Sequence, residues 1–274
     1  MDFMKTLIFF ATYNEAGNVA ALIEQIAERA PAADIVVVDD NSPDGTADAI
    51  RKLGRNNVTV LVRKGKLGLG TAHLLAFCYA VANGYEALVT MDADGSHDPQ
   101  HLPALMEKLD SGYDFVIGSR YMKGGACDYD GYRLRVSQAA NVAARLLLSV
   151  KLTEFTTSYR IFKVEKLRSL DFGALLVGGY SFFLTTVVEA ARRGWRLAEV
   201  PIHFRERGYG TSKIPPFEIF RGVANLMRLA VVKVFGGKPS WEAFSPQPCG
   251  VCGTGYSVVN AAQGRMCVFC GDGR

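Results

Sequence analysis

Two carboxylates stand one residue apart in the stretch Met91-Asp92-Ala93-Asp94-Gly95-Ser96-His97-Asp98-Pro99, directly after a predicted strand over residues 86–91. In an open α/β sheet, ligands bind in the crevice outside the carboxyl ends of the strands. Mg²⁺ and Mn²⁺ prefer oxygen ligands, and they commonly share one or two protein carboxylates with substrate phosphates. The stretch therefore predicts a divalent-cation site for a phosphorylated ligand. The alternative is that both Asp residues only cap a helix that begins near Pro99.

The elements that would position these carboxylates alternate along the first half of the chain. Predicted strands cover residues 6–11, 34–39, 58–63, 86–91 and 113–118, and predicted helices cover 15–30, 45–53, 69–83 and 99–110. Strands that alternate with helices of this length indicate βαβ units. The apolar run Ile35-Val36-Val37-Val38 is typical of a strand covered on both faces. The pattern predicts a doubly wound α/β domain with a mainly parallel sheet.

The composition is that of an ordinary globular protein, with 49% hydrophobic and 21% charged residues among 274. This length is sufficient for one large domain with a small appendage. The net charge of +4 is too small to indicate nucleic-acid binding. No uncharged apolar stretch reaches the ~18 residues of a membrane span. The N-terminus lacks the basic start and the cleavage site of a signal peptide, so we expect a cytoplasmic protein.

Polar residues also follow the other predicted strands, in Ala11-Thr12-Tyr13-Asn14-Glu15, in the segment 39–46 and in Gly118-Ser119-Arg120-Tyr121. A turn and a helix cap explain residues 42–46, but they do not explain the consecutive acids Asp39 and Asp40. Neither the dinucleotide fingerprint nor the P-loop motif occurs in the chain. The Gly-rich segment 66–71 is compatible with a phosphate-binding loop and equally with a plain turn.

Together these segments resemble family 2 of the inverting GT-A glycosyltransferases, and within it the dolichyl-phosphate or polyprenyl-phosphate mannose synthases. The order and spacing hold from about residue 5 to 235. The stretches that carry the resemblance are Thr12-Tyr13-Asn14-Glu15, Val38 to Thr46, Lys66-Leu67-Gly68-Leu69-Gly70-Thr71-Ala72, Met91 to Pro99, Gly118-Ser119-Arg120-Tyr121, Gly179-Tyr180-Ser181-Phe182-Phe183, Glu199-Val200-Pro201-Ile202, Arg207 and Ser212-Lys213.

The resemblance implies a role for each matching position. The nucleotide-sugar ligands that it implies are Ala11, Tyr13, Glu15, Val38, Asp40, Lys66, Asp92, Ala93, Arg207 and Lys213. Asp94 would be the principal ligand of Mg²⁺ or Mn²⁺, and Ser96 stands where the family places a further polar metal ligand. The chain departs from the family pattern at Ala11, at Glu154 and in the segment 156–160.

The implied reaction is a metal-dependent, inverting transfer of a hexose, mannose from GDP-mannose, to a polyprenyl or dolichyl monophosphate. The alternative is transfer of glucose or another sugar from a UDP-sugar to a polyprenyl phosphate or a soluble acceptor. A lipid monophosphate is largely dianionic at neutral pH, so its binding requires cations more than a general base. The cations we assign to it are Arg120, which we also count as catalytic, with Arg133 and Arg135. A solvated loop-to-helix edge is the alternative for Arg133 and Arg135.

A lipid acceptor requires contact with a membrane, and residues 214–236 predict an amphipathic helix that begins at Pro215-Pro216. Its wide apolar face suits the interface of a bilayer, and burial in a core or a dimer is equally compatible. Residues 141–150 carry a second apolar surface, for which packing is the preferred interpretation. We expect a peripheral protein on the cytoplasmic face of a membrane, with a homo-oligomer or a membrane-protein partner as further possibilities.

The C-terminal residues 249–274 contain two C-x-x-C pairs, which follow a glycosyltransferase domain over 1–213, the interfacial helix and a linker over 237–248. Two such pairs at this separation predict a tetrahedral Zn²⁺ site in a small ribbon. The predicted ligands are Cys249, Cys252, Cys267 and Cys270. Disulfides are the less favoured interpretation in a reducing compartment. The function of this tail is left open between partner docking, oligomer contact and regulation.

Overall fold

The computed structural model describes residues 4–128, 131–170, 172, 175, 181–206, 217–235, 247–248, 256–260 and 264–269. Within these ranges, only the backbone is described for 133, 217–221, 232–235, 247–248, 256–260 and 264–266.

The first half of the chain alternates strands and helices, as predicted. Its elements are β1 (Thr6–Thr12), α1 (Val19–Arg29), β2 (Asp34–Asp39), α2 (Thr46–Lys52), β3 (Val58–Val62), α3 (Leu69–Ala82), β4 (Ala87–Asp92), a 3-10 turn (Pro99–His101), α4 (Leu102–Asp110) and β5 (Phe115–Ser119). Their ends agree with the predictions within two residues, except that α1 begins at Val19 and that the 3-10 turn occupies the first three residues predicted for α4. The preceding residues instead form a turn that contacts the loop after β2, where the Ala16 N–H donates to Asp44 Oδ2 (3.0 Å).

The second half is less regular. Its elements are β6 (Ala126–Cys127), α5 (Gly131–Leu148), β7 (Arg160–Lys163), α6 (Val164–Leu167), α7 (Ser181–Arg192), β8 (Leu197–Pro201), β9 (His203–Phe204), α8 (Phe217–Phe235), β10 (Gln247–Pro248), β11 (Tyr256–Asn260) and β12 (Gly264–Cys267). Helix α8 ends at Phe235, next to the predicted end of the amphipathic helix at 236, and the predicted first residues 214–216 lie outside the described part of the chain.

A seven-stranded sheet in the order β3-β2-β1-β4-β7-β5-β8 forms the centre of the molecule. All neighbouring strands are parallel except β7, which runs antiparallel to both β4 and β5. Successive residues of β1 enter opposite clusters: Phe9 packs on one face of the sheet, and Ile8 and Phe10 pack on the other. Both faces are therefore covered, which explains the continuous apolar strands. The predicted doubly wound, mainly parallel α/β fold is confirmed.

Helix α8 packs against α5 and α7 through a partly polar face. The Asn225 side chain is buried, and its amide donates to Ser181 O (3.4 Å) and to Thr185 Oγ1 (3.2 Å) on α7. Among the described side chains, the exposed large hydrophobic ones of the two helices are Tyr132, Val142, Leu146 and Leu147 on α5 and Val223, Met227 and Val231 on α8. Because Asn225 faces inward, the outward face of α8 is mainly apolar over residues 222–231, with Arg228 as its exposed charged residue.

Strands β10, β11 and β12 form a small antiparallel sheet near the C-terminus, and the chain then returns to the main domain. Val268 is fully buried and belongs to the same apolar cluster as Leu75 and Ala76 of α3. Burial raises the pKa of the Cys78 thiol on α3, and the nearby Cys267 thiol raises it further. Residues 267–269, which we call the docked tail segment, are thus part of the main core.

Candidate active site

Strand register brings the predicted ligands to one edge of the sheet. Ala11 on β1 pairs with Val38 on β2 and with Asp92 on β4, so these residues lie side by side at the carboxyl ends of three parallel strands. The Val38 side chain is fully buried, so only its backbone is able to face a ligand. This edge is where an open α/β sheet binds ligands.

The two carboxylates of the D-x-D stretch are held by different partners. Asp92 is part-exposed, and its Oδ1 accepts a hydrogen bond from Ser158 Oγ (2.5 Å). Asp94 is buried, and its Oδ1 accepts from the N–H (3.1 Å) and the hydroxyl (2.6 Å) of Ser96. Gly95 adopts φ +80°, a left-handed conformation that glycine tolerates best, and so allows the tight turn. The Ser96 hydroxyl therefore orients the Asp94 carboxylate.

His97 lies beneath this turn and fixes its shape. The Asp92 N–H donates to His97 Nδ1 (2.9 Å), and His97 Nε2 lies 3.1 Å from Thr157 Oγ1. Burial lowers the pKa of His97, although Asp92 and Asp94 act in the opposite direction. A neutral ring that accepts at Nδ1 and donates at Nε2 satisfies both contacts.

The loops after β1 and β2 are joined by hydrogen bonds. Asp39 is buried, and it accepts hydrogen bonds from Thr12 Oγ1 (2.8 Å), Ser42 N (2.8 Å) and Ser42 Oγ (2.5 Å). The Lys66 ammonium lies 3.5 Å from the centroid of the Tyr13 ring, within the range of a cation–π contact. Glu15 accepts from the Asn18 amide (2.8 Å). Asp39 thus has a structural role, while Tyr13 and Lys66 border the edge.

Asp40 is paired with a residue that sequence reasoning missed. The buried Arg63 donates from Nε to Asp40 Oδ1 (2.6 Å), and its Nη2 lies 2.5 Å from the same oxygen. Burial raises the pKa of Asp40 above its ordinary value, against the lowering effect of Arg63. Among the described residues, none donates a hydrogen bond to Asp40 Oδ2. One oxygen of the carboxylate is therefore anchored, and the second remains for a ligand.

Arg120 forms a buried ion pair with Glu154. Its Nε and Nη2 donate to the two carboxylate oxygens (2.7 and 3.0 Å), and Nη2 also donates to Thr156 Oγ1 (3.0 Å). Its guanidinium carbon lies 4.9 Å from the centroid of the Phe204 ring. Burial would raise the pKa of Glu154, but Arg120 and the hydrogen bonds from Thr156 hold it below its ordinary value. Within the described part of the chain, Arg120 Nη1 makes no hydrogen bond.

The remaining predicted ligands are only partly described. Ala93 is buried behind the D-x-D turn, and Arg135 is exposed on α5. Arg133 also lies in α5, but its side chain is outside the described part, as are Arg207, Lys213, Cys249, Cys252 and Cys270. Cys267 is the one predicted zinc ligand that is described, and it is buried.

Four further residues shape the edge without having been predicted as site residues: Arg63, His97, Thr157 and Ser158. Arg63 follows β3, whose last residue pairs with Asp39 of β2. An arginine at this position lies beside Asp39 and Asp40 across the sheet, so the sequence could have been used to predict an ion pair there. Ser158 and Thr157 come from the segment before β7. They reach the edge because β7 runs antiparallel to its neighbours, and no local sequence pattern predicts that direction.

The donor set suits a hard divalent cation that shares its coordination with a ligand. Asp94 is a carboxylate already oriented by Ser96, and the part-exposed Asp92 lies two residues away. Across the ranges that the structure describes, no three His, Cys, Asp or Glu side chains form a cluster that could hold a metal by themselves. Mg²⁺ and Mn²⁺ often bind through one or two carboxylates together with substrate phosphates, so this geometry fits them.

Curated relatives cover most of the chain. A polyprenol monophosphomannose synthase from Mycolicibacterium smegmatis is 40% identical over 214 residues, which span 77% of this chain and 81% of the relative. An undecaprenyl-phosphate mannosyltransferase from Micrococcus luteus is 38% identical over 228 residues, which span 82% of this chain and 93% of the relative.

Solved structures share the fold at low identity. Glucosyl-3-phosphoglycerate synthase from Mycobacterium tuberculosis, in complex with Mn²⁺, uridine diphosphate and glucosyl-3-phosphoglycerate, superposes with a TM-score of 0.61 at 19% identity, over 84% of this chain and 80% of that one. Mannosyl-3-phosphoglycerate synthase from Rubrobacter xylanophilus gives 0.58 at 16% identity, over 96% and 85% of the two chains. The expected GT-A fold is confirmed.

A family model, "Glycosyl transferase family 2", matches residues 7–171, the part of the chain that contains the D-x-D turn, Asp40 and the Arg120–Glu154 pair. With this match and relatives near 40% identity over more than three quarters of its length, the chain is a glycosyltransferase and belongs to glycosyl transferase family 2.

Proposed function

We propose that this enzyme transfers mannose from GDP-mannose to a polyprenyl monophosphate, with inversion at the sugar, at the cytoplasmic face of a membrane. The observation that carries the proposal is the oriented pair Asp92 and Asp94, which shares one sheet edge with Asp40. The names of the relatives, a polyprenol monophosphomannose synthase and an undecaprenyl-phosphate mannosyltransferase, support mannose as the sugar and a lipid phosphate as the acceptor.

In the donor site, separate residues would contact the nucleoside, the diphosphate and the metal ion. Asp40 Oδ2 would accept a hydrogen bond from the nucleoside, while Arg63 holds the other oxygen. Tyr13 and Lys66 would border the nucleoside, and Arg207 with Lys213 would contact the diphosphate. Asp94, with Asp92 beside it, would hold Mg²⁺ or Mn²⁺. When bound, the cation would supply positive charge that stabilises the departing diphosphate.

The acceptor needs no general base in this reaction, because a phosphate monoester is already largely dianionic at neutral pH. Its binding needs a positioned cation. Arg120 is a suitable one: Glu154 and Phe204 fix its guanidinium, and Nη1 makes no hydrogen bond to the described residues. Arg133 and Arg135, on the neighbouring helix α5, would add positive charge at the entrance.

The surface formed by α5 and α8, which we call the apolar ridge, supports contact with a bilayer. Leu146 is 73% exposed and Met227 is 55% exposed, and the two helices that carry them pack against each other. Arg145 is exposed beside Leu146, where it would meet anionic lipid headgroups. Among the described helices, none is long and apolar enough to cross a membrane. The ridge would therefore lie in the interface.

A transfer assay on the purified full chain tests the proposal. GDP-mannose, UDP-glucose and UDP-N-acetylglucosamine are each offered with a polyprenyl phosphate in detergent and Mn²⁺, and mass spectrometry measures the glycolipid. We expect mannosyl phosphopolyprenol from GDP-mannose, and no product when EDTA removes the metal. A preference for a UDP-sugar would contradict the donor assignment. Transfer to a water-soluble alcohol in place of the lipid would contradict the acceptor assignment.

We also propose that Cys249, Cys252, Cys267 and Cys270 bind a structural Zn²⁺. The spacing of the two C-x-x-C pairs supports this, and a segment of this length needs a metal or a docking surface to fold. Elemental analysis of the purified chain should give one zinc per chain, and Cys252→Ser should lower that ratio. Two disulfides and no zinc in the protein purified under reducing conditions would contradict the proposal.

A further inference from the structure

The buried guanidinium of Arg63 uses acceptors from three separate parts of the chain. Nε and Nη2 contact Asp40 Oδ1, and Nη2 also donates to Gly68 O (3.2 Å). Nη1 donates to Thr71 Oγ1 (2.7 Å) and to Val268 O (3.3 Å). The guanidinium thus makes four hydrogen bonds beside its ion pair with Asp40, and the docked tail segment supplies one of the four acceptors.

The docked tail segment is buried in the main core, so its contact with Arg63 is well defined. Val268 is 0% exposed within the cluster that contains α3, Phe269 packs against the same cluster, and Cys267 is 1% exposed. The Val268 carbonyl therefore meets Arg63 on a surface from which water is excluded. A partner in such a place restricts the guanidinium more than a mobile water would.

We propose that the docked tail segment is a positioning element of the donor site, which acts through Arg63 to hold Asp40 in the orientation that binds the nucleoside. This proposal rests on the proposed function in one respect, namely that Asp40 faces the nucleoside. The C-terminal extension is then a component of nucleotide recognition, although Val268 lies 205 positions from Arg63 in the sequence. Because the tail acts at the nucleoside end, it has no direct influence on the D-x-D turn.

The test uses Val268→Asp in the full chain, because a charged side chain is not tolerated in that apolar cluster and should displace the segment. Ala21→Asp on the exposed face of α1 is the matched control for an added carboxylate. Hydrogen exchange of residues 264–269 reports whether the segment has left the core. Calorimetry measures binding of GDP with Mn²⁺ and, separately, of pyrophosphate with Mn²⁺.

We expect Val268→Asp to weaken GDP binding about two- to tenfold, the effect of one positioning hydrogen bond, and to leave pyrophosphate binding unchanged. Val268→Ala keeps the carbonyl in place and should give a smaller loss. Combining Val268→Asp with Asp40→Asn should add little to the effect of Asp40→Asn alone, because both act on one contact.

Three results would overturn the inference: unchanged GDP affinity in a variant whose tail exchanges freely, an equal loss for GDP and pyrophosphate, or full additivity with Asp40→Asn. If Val268→Asp does not fold, the same comparison is made with Val268→Ala, for which unchanged GDP affinity together with raised exchange at 264–269 is the refuting result. Failure of the unaltered chain to bind GDP with Mn²⁺ would instead refute the proposed function.

Discussion

Replacing Glu154 by Gln should destabilise the enzyme strongly, because Glu154 is the counter-ion of the buried Arg120. The carboxylate accepts five hydrogen bonds: two from Arg120, two from Thr156 and one from Thr157. Four of these go to Oε1 and one, from Arg120 Nε (2.7 Å), goes to Oε2. Either orientation of a glutamine amide therefore places an N–H against another donor.

The magnitude follows from the burial of both partners. The side chains of Arg120 and Glu154 are 7% and 0% exposed, so solvent screens their attraction little. Removing one member of a buried ion pair costs about 3–5 kcal/mol, because the other charge is left without compensation. With a urea dependence of about 2.5 kcal/mol per molar, the unfolding midpoint should fall by about 1–2 M.

Equilibrium unfolding in urea at pH 7, without ligand, measures this shift. Glu165→Gln is the matched control, because Glu165 is 70% exposed and its contact with Lys166 is long (3.8 Å). That variant should remain within about 0.5 kcal/mol of the parent protein. Since the pKa of Glu154 in the folded state lies below its ordinary value of 4.5, the contribution of the pair is complete above pH 4.5 and is lost as the pH falls through the folded pKa.

A midpoint for Glu154→Gln no lower than that of Glu165→Gln would refute this reasoning. It would mean that Arg120 finds other partners or water at no cost, and the ion pair would then have no role in holding the guanidinium. A double variant with Met at both positions should recover part of the loss, because it removes the uncompensated charge along with the pair.

The other predictions concern the metal, a buried histidine and the apolar ridge. Asp94→Ala should abolish the rise in melting temperature that GDP with Mn²⁺ produces in the parent protein; an unchanged rise would exclude Asp94 as the principal ligand. Burial lowers the pKa of His73 to about 3, so the stability that its neutral ring contributes should be complete well above pH 6.5 and should have fallen by about 2 kcal/mol at pH 5. In urea unfolding at several pH values, His73→Leu should reduce the slope, while His97, whose pKa burial also lowers, should keep part of it; an equal slope in both proteins would contradict the assignment. Leu146→Glu should weaken co-sedimentation with anionic vesicles about tenfold, given ~1.5–3 kcal/mol for burial of one Leu, and leave the melting temperature unchanged. Ala21→Glu, on the exposed face of α1, is its control, and equal vesicle binding by the two variants would contradict a role of the apolar ridge in membrane contact.

Much of the fold was predictable because its signals are local. The alternation of apolar strands and helices over residues 6–118 identified five strands and four helices of the parallel half, and their order implied which strand ends would meet. Strand β7 escaped prediction because Arg160–Lys163 is only four residues long and begins and ends with a charged residue. Its pairing partners in β4 and β5 also lie 70–76 and 43–47 positions earlier in the chain.

The candidate site was likewise predictable where its signals are local and not where they depend on contacts between distant residues. Asp92 and Asp94 were recognisable because a strand end and a turn are local features. The pairs that orient the site join residues far apart in sequence: Arg63 with Asp40, 23 apart, Arg120 with Glu154, 34 apart, and His97 with Thr157, 60 apart. Tertiary packing creates these contacts, so no local pattern in a single sequence predicts them.

Because β7 runs in the opposite direction to its neighbours, its N-terminal end, and not its C-terminal end, lies at the ligand-binding edge of the sheet. Parallel strands deliver residues to the edge as they leave the sheet, and β7 delivers the segment 154–158 as it enters. In this segment, Ser158 donates to Asp92, Thr157 contacts His97 and Glu154 pairs with Arg120. Each of these partners lies at the end of β4 or just after β4 or β5. Changes of length between β5 and residue 154 would therefore alter the surroundings of Arg120, the proposed acceptor side, without moving the strand register that aligns Ala11, Val38 and Asp92. On the proposed function, a family built on this plan would be able to exchange acceptors while it keeps one donor site.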